Sequence, residues 1–498
     1  MLTLRTPGTG YLDLEARLAF GLVRLAVETR GRVELIPEPG RYRLQVEGTA
    51  AQLNGALCLQ ATRHYATEEP FRLPGIQARY RANFRTVEEE ALKAAYRTAD
   101  IAGLYASAHV GQRQPWSRHQ CGHDELDAFG GTSGLILATS AHAGMPTRRD
   151  SVGGGNLRLC AVCGLLVVIG IHAAALRHFM QSGGERLILL TTLLPQAPLR
   201  HDDLLELLAL QKAVDQQTLC GLIPLQTAPL AILSRFPHLA QALARTAMLF
   251  HLALFSPGRT DRLNATAVVD ASRLARFIDA SPFHVATVEA LVARRAIPAV
   301  EPLVELTRAL TVDSLPGRRR AANLFARTYA SDSPNTRSHD PGADRPRLVY
   351  RSTGRYLAEE VCMIPSSIIE DDAIATVADL VRYFVLHRNY GYVDAIRNAR
   401  PDSHDFERTL TAMLRECRTR RDPDTGRDDC PRPHFVPLPD EGHIRAVLRL
   451  ALEHFEEVKL ALSLLGLSRR EWEGTPATMP AGEDAVAVEA ALTEEDEA

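Results

Sequence analysis

The stretch CAVCGLLVVIGIHAAAL, residues 160–176, carries the two signals on which the predicted fold depends. It begins with Cys160 and Cys163, whose spacing lets two thiolates serve one metal ion or one redox centre. The apolar run that follows is well short of the roughly 20 residues needed to cross a bilayer. The sequence therefore predicts a buried core element that begins at a pair of potential ligands.

A second pair of potential ligands, Cys121 and His123, precedes this stretch. Zinc prefers four tetrahedral ligands of the thiolate and imidazole type, which a chain usually supplies as two close pairs separated by a loop. The sequence predicts one zinc held by Cys121, His123, Cys160 and Cys163. The first pair is Cys-x-His, where a zinc ribbon has Cys-x-x-Cys, and His119 is an alternative to His123. No His-Glu-x-x-His motif occurs, so we expect a structural zinc.

Two other interpretations of these cysteines stay open. They are either unrelated buried residues beside a chance pair, or a thioredoxin-like redox pair. The redox interpretation requires a strand before Cys160 and a helix after Cys163.

The segment between the two pairs is rich in glycine and arginine. Glycine lets a backbone approach a ligand closely, and arginine reaches phosphate groups or base edges. We expect this loop to approach duplex DNA through Arg148, Arg149, Asn156 and Arg158.

Composition places the chain among ordinary globular proteins. With 498 residues, 46% of them apolar, it has room for roughly two to four domains. The start has no basic segment followed by an apolar run and a cleavage site, so we expect no signal peptide. Eight cysteines with one close pair fit a reducing compartment and a metal site better than a disulfide framework. We expect a cytoplasmic protein that does not enter a membrane.

The patterns along the chain predict an α+β fold that is predominantly helical. Near the N-terminus they predict a helix at Leu12–Glu28, strands at 32–36 and 41–46, and a helix at 49–65. Further on they predict a helix at 87–106, a buried strand at 187–194, and several short helices between His201 and Tyr329, separated by prolines.

Composition shifts mark the expected boundaries. A segment rich in Ser, Pro, Asp and Gly indicates a linker, and eight acidic residues without Lys or Arg indicate a disordered tail. We predict an N-terminal α+β domain at 1–115, a zinc-binding insertion at 116–164, a mainly helical domain at 165–330, a linker at 331–347, a C-terminal helical domain at 348–471 and an acidic tail at 472–498.

Two basic clusters are candidates for binding nucleic acid. The first is Arg318, Arg319 and Arg320, at the start of a predicted helix that also carries Phe325, Arg327 and Tyr329. The second is Arg382, Arg388, Arg397 and Arg400, interspersed with Tyr383, Tyr390 and Tyr392. Arginine favours phosphate contact and exposed tyrosine favours stacking on single strands. The alternative is a solvated helix face whose aromatic residues belong to the core.

The common motifs of nucleotide-binding and acyl-transfer enzymes are absent from the sequence. Four His-Asp dipeptides, at 123, 201, 339 and 404, leave open a metal-dependent nuclease of the His-Asp type. Such a site needs further ligands from neighbouring helices. A zinc-bearing regulator that binds DNA as a homodimer is another alternative.

Three stretches resemble one known family. TPGTGYLDLEARLAFGLVRL, at 6–25, and GGGNLRLCAVCG, at 153–164, resemble the large subunit of type I CRISPR effector complexes (Cascade), closest to the type I-A kind. VADLVRYFVLHRNYGYVDAIRNARPDSHDFERTL, at 377–410, resembles the helical small subunit of type I-A complexes, here fused at the C-terminus.

The resemblance implies a non-catalytic subunit of an antiviral defence complex. Large subunits of the family carry a zinc-binding segment, contact the 5′ end of the CRISPR RNA, sense the protospacer-adjacent motif on target DNA and help to recruit a separate nuclease-helicase. The implied partners are CRISPR RNA, target DNA, the Cascade backbone subunits and that nuclease-helicase. The protein in such complexes reads only a short motif, because base pairing reads the rest.

Overall fold

The computed structural model of the chain describes residues 1–66, 96–106, 121–123, 159–182, 185–214, 218–219, 225–256, 262–292, 300–331, 348–401, 404–430 and 433–469. The chain forms two compact units. Unit 1 comprises Met1–Ala280 and Val288–Arg318, and unit 2 comprises Ser281–Thr287 and Arg319–Ala498. The fold class is α+β and predominantly helical, as predicted.

The N-terminal part of unit 1 is a small α+β module. Its elements are β1 (Leu2–Arg5), α1 (Leu12–Glu28), β2 (Val33–Glu38), β3 (Arg41–Val46) and α2 (Ala50–Ala66). The three strands form an antiparallel sheet in the order β1-β3-β2. Alternate residues of β3 are buried, as the period of two in a half-buried strand requires. The predicted helix at Leu12–Glu28 and strand at 41–46 are confirmed with their bounds.

A five-stranded sheet forms the second layer of unit 1. It contains β4 (Ala175–Ser182), β5 (Glu185–Pro195), β6 (Thr218–Leu219), β7 (Met248–Ser256) and β8 (Arg262–Asp270), in the order β6-β4-β5-β7-β8. Strand β5 confirms and extends the predicted strand at 187–194.

The prediction of helices alone between His201 and Tyr329 is wrong for β7 and β8. Strand β7 lies inside the sheet between β5 and β8, and its sequence, MLFHLALFS, has no alternating pattern. A strand buried on both faces gives a continuous apolar run that periodicity does not separate from a buried helix.

The helices of unit 1 surround these sheets. They are α3 (Ile101–Ala106), α4 (Ala161–Ala174), α5 (His201–Val214), α6 (Ala228–Arg235), α7 (Pro237–Ala244), α8 (Ala271–Ala280), α9 (Pro282–Val292), α10 (Val300–Thr311) and α11 (Leu315–Ser331), of which α9 and α11 extend into unit 2. All residues of α4 except His172 are buried, which confirms the core element expected at 165–176.

Helices α1 and α4 pack against each other through glycine. A Cβ atom on Gly170 of α4 would lie 1.8 Å from the carbonyl oxygen of Arg17 in α1, and one on Gly21 would lie 2.2 Å from that of Leu166. Such backbone contact excludes any side chain. The close approach fixes the position of α4, and with it the position of Cys160 and Cys163.

Unit 2 is helical with a two-stranded parallel ladder. Its elements are β9 (Val349–Tyr350), α12 (Arg351–Tyr356), a π-helical turn (Leu357–Val361), α13 (Ser366–Ile369), α14 (Asp372–Leu386), α15 (Gly391–Asn398), α16 (Asp405–Arg420), α17 (Glu441–Glu453), α18 (Phe455–Gly466) and β10 (Ser468–Arg469). Helices α14, α17 and α18 pack together and bury an apolar core that includes Ile374, Val381, Val447 and Leu462.

Several predicted segments lie outside the described residues. They are residues 87–95 of the segment expected to be helical at 87–106, the linker at 331–347 except Ser331, and the tail at 472–498. Among the described helices, none combines the length and the apolar character needed to span a membrane.

Candidate metal centre

Four side chains in unit 1 converge on one point: Cys121, His123, Cys160 and Cys163. Their ligand atoms all lie within 4.8 Å of one another, and all four residues are buried. Cys121 and His123 flank Gly122, whose φ of +73° lies in the left-handed region that glycine adopts without strain. The turn at Gly122 brings both side chains to the same side of the chain.

The other two ligands belong to the first turn of α4. Cys160 is the N-cap residue of this helix, and its Sγ accepts a hydrogen bond from the backbone N–H of Cys163 at 3.4 Å. The backbone N–H of Cys160 donates to Cys121 Sγ, also at 3.4 Å. Partial positive charge at a helix N-terminus and N–H donors both stabilise thiolates.

The distances within the group fit a tetrahedral ion. His123 Nδ1 lies 3.6 Å from Cys160 Sγ and 3.5 Å from Cys163 Sγ. Bonds of roughly 2.3 Å to sulfur and 2.0–2.1 Å to nitrogen place the two ligand atoms about 3.5 Å apart in tetrahedral geometry. The cluster could therefore hold a metal ion with Nδ1 as the imidazole ligand.

Tyr105 of α3 completes the surroundings of the centre. Its hydroxyl oxygen lies 2.8 Å from Cys163 Sγ, and its ring meets the His123 ring edge to face at 5.6 Å. Burial, and then the nearby charge of Cys163, raises the pKa of Tyr105 well above its usual value of 10.0. If an ion holds Cys163 as a thiolate, the phenol would be the donor in this contact.

The thiols titrate as a group. Burial alone would raise the pKa of Cys121, but Cys160, Cys163 and His123 lower it well below its usual value. Burial, followed by the proximity of Cys121 and Cys160, raises the pKa of Cys163. Three thiolates this close together would repel one another in the absence of a cation. A bound divalent ion would offset the charge of all three and release their protons.

The geometry favours metal binding over the other two interpretations of the cysteines. Cys160 and Cys163 occupy the helix start that a redox pair would use, but they are fully buried and lie beside a third cysteine and a histidine. A redox pair must reach a partner disulfide. The alternative ligand His119 lies outside the described residues, as do Arg148, Arg149, Asn156 and Arg158.

The first basic cluster, Arg318 to Arg320, lies near the N-terminus of helix α11. Arg319 points into unit 2, where its Nε donates to the carbonyl of Cys362 at 3.0 Å and its Nη2 lies 2.9 Å from Glu457. Arg318 is half-buried and Arg320 is exposed. The adjacent arginines thus have different surroundings, and Arg320 has the exposure that a phosphate contact requires.

The arginines of the second basic cluster also differ in their surroundings. Arg382 pairs with Asp379 at 3.5 Å, and Arg397 pairs with Asp394 at 3.1 Å. Arg388 and Arg400 are exposed. The salt bridges of Arg382 and Arg397 stabilise their own helices, so the charge of these two arginines is partly committed within the protein.

The tyrosines of this region make intramolecular contacts. Tyr383 is buried and donates to Asp428 at 3.0 Å, Tyr390 donates to the carbonyl of Ala330 at 3.0 Å, and Tyr392 donates to Glu416 at 2.5 Å. These contacts favour the core interpretation over base stacking, most clearly for Tyr383.

The His-Asp dipeptides do not form a second cluster of their own. His201 accepts a hydrogen bond from the backbone N–H of Val33 through Nδ1, at 3.4 Å, and the His404 side chain is 93% exposed. In the part of the chain that the structure describes, neither belongs to a group of three or more potential metal ligands. His339 lies outside that part.

Neither a comparison with models of known protein families nor a search of curated proteins finds a match to this chain.

Tyr105 could not be identified from the sequence as part of the metal centre. Nothing in the pattern around it distinguishes a core tyrosine from one that lies against a potential metal ligand.

Proposed function

We propose that the ion is zinc and that its role is structural. Three thiolates and one imidazole are ligands that zinc prefers, and four protein ligands complete a tetrahedral shell. A catalytic zinc keeps one position open for water or substrate. A shell filled by Cys121, His123, Cys160 and Cys163 has no such position.

We further propose that the protein is the large subunit of an RNA-guided CRISPR effector complex, similar to the type I-A kind. The observation that carries this proposal is the position of the metal ligands at the two ends of segment 124–158. His123 and Cys160 lie side by side, so an ion there would fix both ends of the intervening segment, which contains Arg148, Arg149 and three consecutive glycines.

In the proposed function, this segment contacts duplex DNA at the protospacer-adjacent motif. Arginine presents a planar pair of donors to guanine in the major groove or to phosphate. Fixing the ends of a loop reduces the conformational entropy lost when it binds. A structural zinc would in this way increase the affinity of a site that it does not touch.

Unit 2 supports the second half of the proposal, in which a small-subunit-like helical region contacts nucleic acid or neighbouring subunits. Arg388 and Arg400 are exposed in the stretch that resembles the small subunit. The proposed partners are CRISPR RNA, target DNA, the backbone subunits and a separate nuclease-helicase, all of them in the cytoplasm.

Co-expression with a CRISPR RNA and the backbone subunits tests the proposal. We expect the chain to co-purify with the ribonucleoprotein and to raise its affinity for duplex DNA that carries the correct motif. Arg148→Ala with Arg149→Ala should lower this affinity, whereas Arg30→Ala with Arg32→Ala, also a closely spaced pair, should not.

Two results would contradict the proposal. Cleavage of DNA by the isolated chain with manganese or nickel would indicate the His-Asp nuclease instead. Sequence-specific binding of an RNA-free homodimer to DNA would indicate a regulator.

A further inference from the structure

A second group of metal-ligand side chains lies in unit 2, where the loop between α16 and α17 meets the end of α14. His387 directly follows α14, and Asp428 and Cys430 belong to the loop. One ligand atom from each of the three lies within 4.8 Å of the others. We infer that this group binds a divalent ion of the zinc class, independently of the Cys121 centre.

The orientation of His387 leaves one ring nitrogen available to an ion. Its Nδ1 lies 2.8 Å from the carbonyl oxygen of Tyr383. A carbonyl oxygen can only accept a hydrogen bond, so Nδ1 must be the donor. Nδ1 therefore carries a hydrogen, and Nε2 is the nitrogen that an ion could bind. Histidines that bind metals commonly donate their second N–H to a carbonyl or carboxylate in this manner, which fixes the tautomer.

Nε2 of His387 faces a carboxylate. It lies 2.6 Å from Asp428 Oδ2, which is the distance of an ion pair when the ring carries a second proton. A divalent cation would replace that proton and bind both atoms. A tetrahedral ion holds such atoms about 3.4 Å apart, so binding would widen the contact by less than about 1 Å.

The carboxylate of Asp428 is held from two further sides. The Tyr383 hydroxyl donates to Oδ2 at 3.0 Å, and the backbone N–H of His434 donates to Oδ1 at 2.9 Å. The Asp428 side chain is fully buried. Ligating carboxylates are typically oriented by hydrogen bonds of this kind.

Three protein ligands leave the fourth position of a tetrahedral ion to water. The ring of His434 lies beside the site, against the ring of His387, with 5.2 Å between centroids. A set of thiolate, imidazole and carboxylate selects zinc over magnesium or calcium, which prefer oxygen alone. The nearby positive charge of Arg420 is offset by its salt bridge to Glu416.

Metal analysis of the purified full-length protein tests this site. We expect two equivalents of zinc per chain in the wild type and one in Cys430→Ala or His387→Gln. Cys58→Ala should keep both, because Cys58 is half-buried and belongs to neither group. Circular dichroism of each variant checks that it is folded. With cobalt in place of zinc, the site in unit 2 has one thiolate ligand and the Cys121 centre has three. Cys430→Ala should therefore lose the weaker thiolate-to-cobalt absorption of the first site and keep the stronger absorption of the second.

The outcomes separate the two centres. A variant Cys430→Ala that retains as much zinc as the wild type overturns the inference. A single equivalent in the wild type that Cys430→Ala removes supports the site in unit 2 and contradicts the Cys121 centre.

Discussion

The hydroxyl oxygen of Tyr105 lies 2.8 Å from the Sγ of Cys163, so that a phenol on α3 forms a hydrogen bond with a potential metal ligand on α4. Hydrogen bonds of this kind to metal ligands typically change metal affinity by about 10–100-fold when removed. Tyr105→Phe keeps the ring against His123 and deletes the donor. We expect at least tenfold weaker metal binding, measured by competition with a chelator of known affinity.

The matched control for this prediction is Tyr42→Phe. Tyr42 is also buried in unit 1 and donates to the carbonyl of Pro195 at 3.3 Å, away from the metal ligands. Tyr42→Phe should lose a comparable hydrogen bond without a change in metal affinity. Equal affinity in Tyr105→Phe and the wild type would show that the phenol only fills space.

The crossing of α1 and α4 should not tolerate a methyl group. A Cβ on Gly170 would lie 1.8 Å from a backbone oxygen, and a backbone atom cannot move aside as a flexible side chain does. Overpacking typically costs 1–3 kcal/mol and sometimes more, so we expect Gly170→Ala to lower the unfolding free energy by about 3 kcal/mol or more. Urea unfolding measures the change.

Gly55→Ala is the control for the helix crossing. Gly55 lies inside α2, and a Cβ there meets nothing within 4 Å. Alanine should stabilise this helix by about 0.5–1 kcal/mol. If both substitutions had the same effect, the contact between α1 and α4 would not be as close as the structure shows.

Glu15 should make stability depend on pH. Its Oε1 accepts hydrogen bonds from the backbone N–H and the hydroxyl of Thr9, both at 2.7 Å. Burial nevertheless raises the pKa of Glu15 above its usual value of 4.5. A raised pKa means that the folded state holds the proton more tightly than the unfolded state. The contribution of Glu15 is therefore fully present below pH 4.5 and is lost as the pH rises through the raised pKa.

Glu15→Gln removes this titration. The slope of unfolding free energy against pH above 4.5 should become less negative in the variant, by at most about 1.4 kcal/mol per pH unit. Denaturation at a series of pH values measures the slope. The exposed Glu47 offers the control Glu47→Gln, and an unchanged slope in Glu15→Gln would contradict the prediction.

Substitutions of Arg319 and Arg320 should have different effects, the first on stability and the second on nucleic-acid binding. Arg319→Ala removes hydrogen bonds to Cys362 and Glu457, so we expect a loss of about 1–3 kcal/mol of stability. Arg320→Ala should change stability by less than about 0.5 kcal/mol. If Arg320 contacts phosphate, its loss should reduce the slope of log affinity against log salt by about 1.

Binding of single-stranded DNA by the full-length chain over a salt series measures this difference. Identical salt slopes in Arg320→Ala and the wild type would exclude a phosphate contact at this position. A loss of affinity in Arg319→Ala with normal folding would instead show that the internal ion pair opens to bind DNA.

Local sequence patterns predicted much of the fold. Helix α1 has an apolar face and a polar face, and strand β3 alternates between buried and half-buried residues. Strand β7 is apolar at all positions except His251 and Ser256, and no local pattern distinguishes such a run from a buried helix.

The two halves of the metal centre could be predicted because cysteine and histidine pairs have few other uses at such spacing. The partners of charged groups could not. Arg319 meets Glu457 across 138 positions of the chain, and sequence alone does not indicate which of three adjacent arginines turns inward. Asp428 and Cys430 lie in a polar loop, where only the return of the chain to α14 brings them to His387.

The contact between α1 and α4 also sets a minimum delay in the folding of unit 1 during synthesis. Residues 29–160 separate the two helices along the chain, and a ribosome adds about 5–20 residues per second. The buried face of α1 therefore leaves the ribosome of the order of ten seconds before the helix that covers it. Throughout that interval the nascent N-terminus exposes an apolar surface, which makes it a natural client for chaperones that bind emerging chains.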